Sequence, residues 1–398
     1  MEDSVLRLLE HTAIRYSTGM DYKVWRELEC TGEFCNRLPV LSDLELIRKS
    51  GSFNRLSERS RILTDDAVSS SDKVKAALER YVNLVERHNI KVVGRFDDKY
   101  PYIWRELSGM PPVIFCKGDL TILEHIDTDG SVSIVGSRKP GRYALYATGE
   151  FSSGLAMKEA VIVSGLAVGI DRRAHESCLD SGGKTLAVVP GGCDRIYPNQ
   201  NRDIYQRISE TGLILSELPP GQEIIKQYFP SRNRLISALS DVCLIMEAGL
   251  YSGTLHTASF AASQGKDVFV LPNSIYAENS AGGLMLIRDG AEVLIDIDTV
   301  YERVEGEVSN RLQRMGKSKK DSIDDLRNAA RNNPGILNEK EWKEIICDEL
   351  SERPKNIDEL CISLGIPFSY LSALVAELET AGRIEDDRGK YVLTIRRR

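Results

Sequence analysis

The sequence predicts an α/β protein: a doubly wound, mostly parallel sheet, preceded by a helical region and followed by a small unit of helices and a hairpin. Three observations carry that reading. Between about Ser131 and Asp296, apolar runs of strand length alternate with segments of helical period. The runs are rich in Val, Ile and Leu and have no polar face, as parallel strands covered on both sides require. From Ser4 to Glu86, by contrast, leucines recur at three- and four-residue steps without strand-like alternation.

In chain order, residues 1–88 form an N-terminal helical domain. Two short strand candidates follow, "IKVVGRF" (Ile90–Phe96) and "PVIFCKG" (Pro112–Gly118), joined by an aromatic, Pro-containing connection that reads as packed. The core strands are "SVSIVG", "AVIVSG", "TLAVVPGG", "LILSEL", "VCLIMEA", "DVFVLP" and "EVLI". Segments such as "YALYATGEFSSGLAMKEA" and "SGTLHTASFAASQG" suit crossover helices, which completes a central domain over 89–301. Residues 302–341 are polar with mixed charge and read as a linker, in part helical. In 342–398, "KEIICDELSE", "NIDELCISLG" and "PFSYLSALVAELETAG" read as helices, and "RIEDDRGKYVLTI" as a strand pair turning at Arg388-Gly389. Three helices followed by a β-wing is winged-helix order.

A chain of 398 residues holds two or three domains. A net charge of −7 excludes indiscriminate attraction of nucleic acid by the whole surface. The eight cysteines, Cys30, Cys35, Cys116, Cys178, Cys193, Cys243, Cys347 and Cys361, form no C-x-x-C pair and have no zinc spacing with histidine. They read as free thiols in a reducing compartment, with no metal site. The N-terminus has no basic n-region or apolar h-region, and no apolar run approaches the ~18 residues of a membrane span. The expectation is a cytoplasmic protein without a membrane partner.

The candidate chemistry lies in loops at the carboxyl ends of the strands, where open α/β sheets bind ligands. "GSRKPG" follows the first core strand. Gly136 admits close approach, Ser137 offers a hydroxyl, Arg138 a planar fork for phosphate, and Lys139 a second cation. A helix starting near Arg142 points its N-terminus the same way. The spacing G-x-G-x-x-G is missing, since Arg138 stands at the second glycine, so a dinucleotide cofactor is disfavoured and none is expected. Alone, this loop is equally compatible with a solvated turn. "VSGLAVGIDRRAHESCL" brings Ser164, Gly165, Ala167 and Gly169 to a tight turn, with Asp171 placed to cap or start the next helix. His175 falls mid-helix without an orienting partner and reads as structural rather than as a base.

"YFPSRNRLISALSD" places Phe229, Arg232, Asn233 and Arg234 just before a helix. A ring that stacks on a base beside cations that contact the backbone suits single-stranded nucleic acid. The alternative is that Phe229 packs in the core and the arginines pair with Glu217 or Glu247. "VVPGGCDRIYPNQN" begins like P-G-G-x-G-T-x-x-E, the signature of LOG-type nucleoside-monophosphate phosphoribohydrolases. Asp194, Arg195 and Pro198 replace its third glycine, threonine and glutamate, which removes the carboxylate that N-glycosidic cleavage would use. "SGTLHTA" opens a helix with hydroxyl residues that suit phosphate or simple N-capping.

Taken in order, "IVGSRKPGRYA", "VSGLAVGIDRRAHESCLDSGGKTLAVVPGGCDRIYPNQN", "LILSELPPG", "YFPSRNRLISALSDVCLIMEA", "SGTLHTASFAASQGKDVFVLP" and "LIRDGAEVL" resemble the DprA/Smf family. The resemblance is strongest over Ile134–Ile295 and extends to the segment before it and to the terminal winged helix. It implies an extended Rossmann-like domain that binds single-stranded DNA. It further implies a recombination mediator that loads RecA onto single strands in DNA uptake and natural transformation (competence), a homodimer, and no enzymatic reaction. By motif, Gly136, Ser137, Arg138 and Lys139 form the DNA-contacting loop. Ser164, Gly165, Ala167 and Gly169 form the pocket wall, and Phe229, Arg232, Asn233 and Arg234 the base-side element. The chain departs from the family pattern at Asn199, at Asn273 and at Gly283-Leu284, and "TGEFCNRLP" replaces a Gly-x-Gly hairpin.

The acidic balance is compatible with DNA binding if Arg138, Lys139, Arg142, Arg232 and Arg234 cluster at one edge. The winged helix looks less suited to duplex DNA. From Ile345 onward eight Lys/Arg face ten Asp/Glu, and "FSYLSALVAELETA" holds no cation, so an interaction or packing role is favoured. The competing readings are a LOG-like phosphoribohydrolase and a nucleotide-sensing Rossmann domain.

Overall fold

The computed structural model of the chain describes residues 2–29, 38–105, 107–315, 339–387 and 389–393. It divides into two compact units, residues 1–308 and 309–398.

The first unit opens with helices α1 (Asp3–Thr18), α2 (Tyr22–Glu29), α3 (Leu41–Lys49), α4 (Glu58–Ser69) and α5 (Ser71–His88). Leu9, Ala13 and Ile14 on α1 meet Val74, Tyr81 and Val85 on α5, each set on one face at helical spacing. These side chains share a core with Val113, Phe115, Ala187 and Ile214 of the sheet, so the helices pack directly on it. The segment "TGEFCNRLP" lies mostly outside the described residues.

The sheet has strands β1 (Lys91–Gly94), β2 (Val113–Gly118), β3 (Ser131–Gly136), β4 (Val161–Ser164), β5 (Thr185–Val188), β6 (Leu213–Ser216), β7 (Val242–Glu247), β8 (Asp267–Val270) and β9 (Glu292–Val293). Their order is β1-β2-β6-β5-β4-β3-β7-β8-β9. From β6 to β9 all neighbours are parallel, while β1 and β2 extend one edge antiparallel. Alternate side chains are buried on opposite faces: Val132 and Ile134 of β3 on one, Val135 on the other. Helices α6 (Thr121–Thr128), α10 (Tyr228–Ala238), α11 (Thr254–Ser263) and α12 (Ala281–Arg288) cover the Val135 face. Helices α7 (Arg142–Met157), α8 (Ile170–Asp180) and α13 (Ile297–Arg314) cover the other, and α9 (Arg202–Thr211) joins the N-terminal helices beside them. The chain leaves β3 toward β4 and later returns on its other side as β7. This makes the β3–β7 boundary the topological switch point, where ligands of such sheets collect.

Helix α13 continues to Arg314, through residues with a polar, linker-like composition, because Val300 and Val304 fall on the core side. The remaining linker stretch, 316–338, lies outside the described residues. In the second unit, α14 (Glu339–Glu352), α15 (Ile357–Leu364) and α16 (Phe368–Thr380) precede the hairpin β10 (Ile384–Asp387) and β11 (Lys390–Leu393). A capping box between Asn356 and Glu359 starts α15. Trp342, Ile345, Leu360, Leu371, Leu374 and Ile384 form the core of this winged helix. Arg388 of the expected turn lies outside the described residues. No single described helix is long and apolar enough to cross a membrane.

Candidate nucleic-acid interface

The site is built where β3, β4 and β5 end. The loop after β3 and the turn before α8 interlock too closely for side chains. A Cβ on Gly136 would stand 2.6 Å from Ile170 Cγ1, and one on Gly169 2.4 Å from the Ser137 carbonyl oxygen. Gly169 also has φ +87°, a conformation that favours glycine. The Ile170 amide donates to that same carbonyl at 3.2 Å, and the Lys139 amide donates to Ser137 Oγ at 3.1 Å. Asp171 organises the turn from below. Its Oδ2 accepts from the amides of Gly165 at 3.2 Å and Ala167 at 3.4 Å. Between them Leu166, buried, is held at φ +54°, strain of the kind that collects at binding sites.

Helix α10 supplies the opposite wall. The Phe229 ring lies 5.4 Å from the Arg138 guanidinium carbon and edge-on to Tyr197, with centroids 5.8 Å apart. Arg232, only 5% exposed, closes the floor. The resulting cleft has a volume of about 110 Å³. Of the residues singled out in the sequence, Arg138, Gly165, Ala167, Phe229 and Arg232 line it. Leu166, Val168, Pro190, Tyr197, Pro198 and Gln200 complete the lining.

The electrostatics of the floor are unusual. Arg232 Nε and Nη1 are buried without a hydrogen-bond partner among the described residues. Burial lowers the Arg232 pKa to about 10, against the upward pull of Asp171. Burial likewise pushes the Asp171 carboxyl up, opposed by Arg232 and by its two amide donors. A buried guanidinium with unused donors, one exposed arginine and two aromatic rings can together hold a phosphate oxygen and a base face.

The other predicted site residues stand elsewhere. Gly136, Ser137, Lys139 and Gly169 build the flanking loops. Ser164 is buried, and its hydroxyl donates to the Ile134 carbonyl at 2.6 Å. Asn233 Nδ2 donates to the Gly253 carbonyl at 3.4 Å. Arg234 points away from the cleft, donating to the Gly109 carbonyl at 2.9 Å and forming an ion pair with Glu217. The expected five-cation edge is therefore corrected: Arg234 is committed internally, Arg232 is buried, and Arg138, Lys139 and Arg142 are exposed. The Phe229–Arg234 element is also corrected. It forms the first turns of α10 rather than preceding a helix, since Pro230 falls in the first turn, where its missing N–H costs nothing.

His175 is structural. Its Nδ1–H donates to Thr185 Oγ1 at 2.7 Å, and burial with the nearby Arg232 lowers its pKa to about 3. Tyr197 is the residue that sequence reasoning missed. Its signal is present in "DRIYPNQN", an aromatic in a loop after a core strand, where a base-stacking ring can stand. Of the departures noted above, Asn273 accepts from the Ser274 amide at 2.8 Å, and Leu284 lies within α12.

The family profile described as DNA recombination-mediator protein A matches residues 91–305, and that of the DprA winged helix domain matches 342–390. Protein Smf of Synechocystis sp. is 34% identical over 311 residues, 74% of this chain and 77% of that protein. DNA processing protein DprA of Streptococcus pneumoniae is 38% identical over 223 residues, 54% of this chain and 77% of that one. The X-ray structure of DNA processing protein A from Streptococcus pneumoniae superposes with a TM-score of 0.57 at 30% identity, over 71% of this chain and 98% of the other.

Proposed function

The chain belongs to the DNA recombination-mediator protein A (DprA/Smf) family, and on that premise we propose that it binds single-stranded DNA in the Arg138–Phe229 cleft. It acts there as a recombination mediator that places RecA on single strands during DNA uptake and transformation, as a cytoplasmic homodimer. The organisation that serves this role is a helical domain over 1–88, a DNA-binding domain from 89 whose last helix runs on to Arg314, a connecting segment, and a winged helix whose first helix opens at Glu339.

The observation that carries the reading is one contact pair. An exposed arginine lies over a half-buried phenylalanine, beside a turn whose floor is a buried, under-bonded arginine. Backbone phosphates meet the cations while a base meets the ring, and neither contact reads sequence. A duplex keeps its bases stacked inward and presents no free face to Phe229. A binding role is favoured over hydrolysis because Pro198 lines the cleft where a phosphoribohydrolase would place its glutamate. Among the described residues, no lining position is a carboxylate.

The test is anisotropy of labelled oligonucleotides across a salt series. Arg138→Ala lowers single-strand affinity and flattens the log-log salt slope by about 0.7, the share of one phosphate contact. Single strands bind more tightly than duplexes of equal length. An unchanged isotherm and slope for the variant would overturn the assignment. Assembly of RecA on coated single strands, followed with the same variant, tests the mediator step.

A further inference from the structure

Beyond the cleft, on the far side of the switch point, two more loops reach the same rim. The loop between β7 and α11 carries Tyr251, which is 100% exposed, and the loop between β8 and α12 carries Tyr276, 91% exposed. A single bare side chain is ordinary, but two rings on neighbouring loops of one rim, beside the exposed Leu250 and Ile275, make a patch of the kind that meets a partner. Both loops are anchored. Gly141 donates its amide to Glu247 Oε2 at 3.0 Å, and Asn279 Nδ2 donates to the Lys139 carbonyl at 3.1 Å. A Cβ on Gly282, in the first turn of α12, would lie 2.4 Å from the Gly249 carbonyl oxygen, so the start of that helix packs against the β7–α11 loop. Asn233, on the helix that bears Phe229, holds Gly253. The rings therefore project from a fixed frame, continuous with the loop that presents Arg138 and Lys139.

We propose that Tyr251 and Tyr276 continue the single-strand track across the switch point, each stacking on a base. This rests on the single-strand reading of the cleft. From β4 through β3 and β7 to β8 is three strand spacings, about 15 Å, which lengthens the track by several nucleotides. Arg138, Lys139 and Arg142, all exposed, lie along the way and supply the charge that a phosphate backbone needs. Glu278 is the one carboxylate on the Tyr276 loop. Tyrosine suits the task because its ring is rigid, presents a wide face and tolerates any base. The occupant is taken to be nucleic acid rather than protein because the rings continue the cationic loop along the carboxyl edge of the sheet.

The experiment uses the full chain and three oligothymidylate probes: a tetramer, a strand of about twenty nucleotides, and an abasic strand of that longer length. The double variant Y251A/Y276A binds the long strand at least about tenfold more weakly, and the tetramer and the abasic strand almost as well as before. Single variants Y251W and Y276W show tryptophan fluorescence quenched by the long strand. Both positions are exposed, so urea midpoints stay unchanged and folding does not confuse the result. Unchanged long-strand affinity and unquenched tryptophans, with Arg138→Ala still weakening binding, would overturn this inference and leave the cleft standing. Loss confined to self-association, seen by sedimentation, would overturn it in favour of contact between copies. If Arg138→Ala is also without effect, the single-strand reading itself fails.

Discussion

Gly165→Ala is a small change with a large expected consequence. The new Cβ would stand 1.5 Å from Arg232 Nη1 and 2.5 Å from its Cζ. Normal contact needs about 3.5 Å, so the guanidinium must retreat by about 2 Å. A retreat of that size into solvent would ordinarily cost little. Here the group is buried and supplies the positive charge opposite Asp171, itself 7% exposed. Moving it leaves a carboxylate under-compensated in the interior, at a cost of about 2 kcal/mol. It also removes the cation from the cleft floor, so single-strand affinity falls together with stability. Urea unfolding of four proteins tests this: the wild type, Gly165→Ala, Arg232→Met and the double variant. With methionine in place of the fork, alanine at 165 costs little, which gives a coupling of at least about 1.5 kcal/mol. Equal costs for alanine in both backgrounds would show that the arginine does not fill this niche, and the cleft geometry would be wrong.

Two further outcomes follow from the places of Arg234 and of two buried histidines. Arg234→Ala destabilises the fold by about 2 kcal/mol, because Glu217 loses its partner, yet leaves the single-strand salt slope unchanged; a flattened slope would return Arg234 to the interface. Stability also falls with acid. His175 and His11 are buried neutral, with folded pKa values of about 3 and about 4. In the unfolded chain each takes up its proton near pH 6.5, so the stabilisation is complete above that pH and declines below it. At pH 5 each site has lost about 2 kcal/mol. The unfolding free energies from urea titrations at pH 7 and pH 5 should differ by about 2 kcal/mol less in His175→Gln than in the wild type, and an unaltered pH dependence would exclude the buried neutral imidazole.

Much of the architecture was legible because parallel strands buried on two faces must be apolar throughout. "SIVG", "VIVS" and "LAVV" are short, rich in β-branched residues and followed by glycine, serine or proline, which fits that requirement. The glycine-bearing loops that follow them then mark the rim of the sheet, and order alone placed Arg138, Gly165 and Phe229 there. The mixed orientation of the sheet was less accessible. β2 pairs with β6 antiparallel across nearly a hundred residues, a long-range choice that no local pattern records.

What the sequence determined by itself was the alternation of strand and helix, the winged-helix order at the end of the chain, and the edge of the sheet where chemistry collects. What only the tertiary structure decided was which cations remain available. Arg232 and Arg234 are neighbours in the text and near-opposites in space, since two residues of helix turn the chain about 200°. One side chain swings toward the turn after β4. The other meets Gly109, 125 residues away in the chain, and Glu217 beyond β6. Tyr197 reaches Phe229 from a loop thirty-two positions earlier by the same kind of distant meeting. A side chain's type is written locally, but its partner is set by how layers stack, and that partner decides whether a charge serves the ligand or the fold.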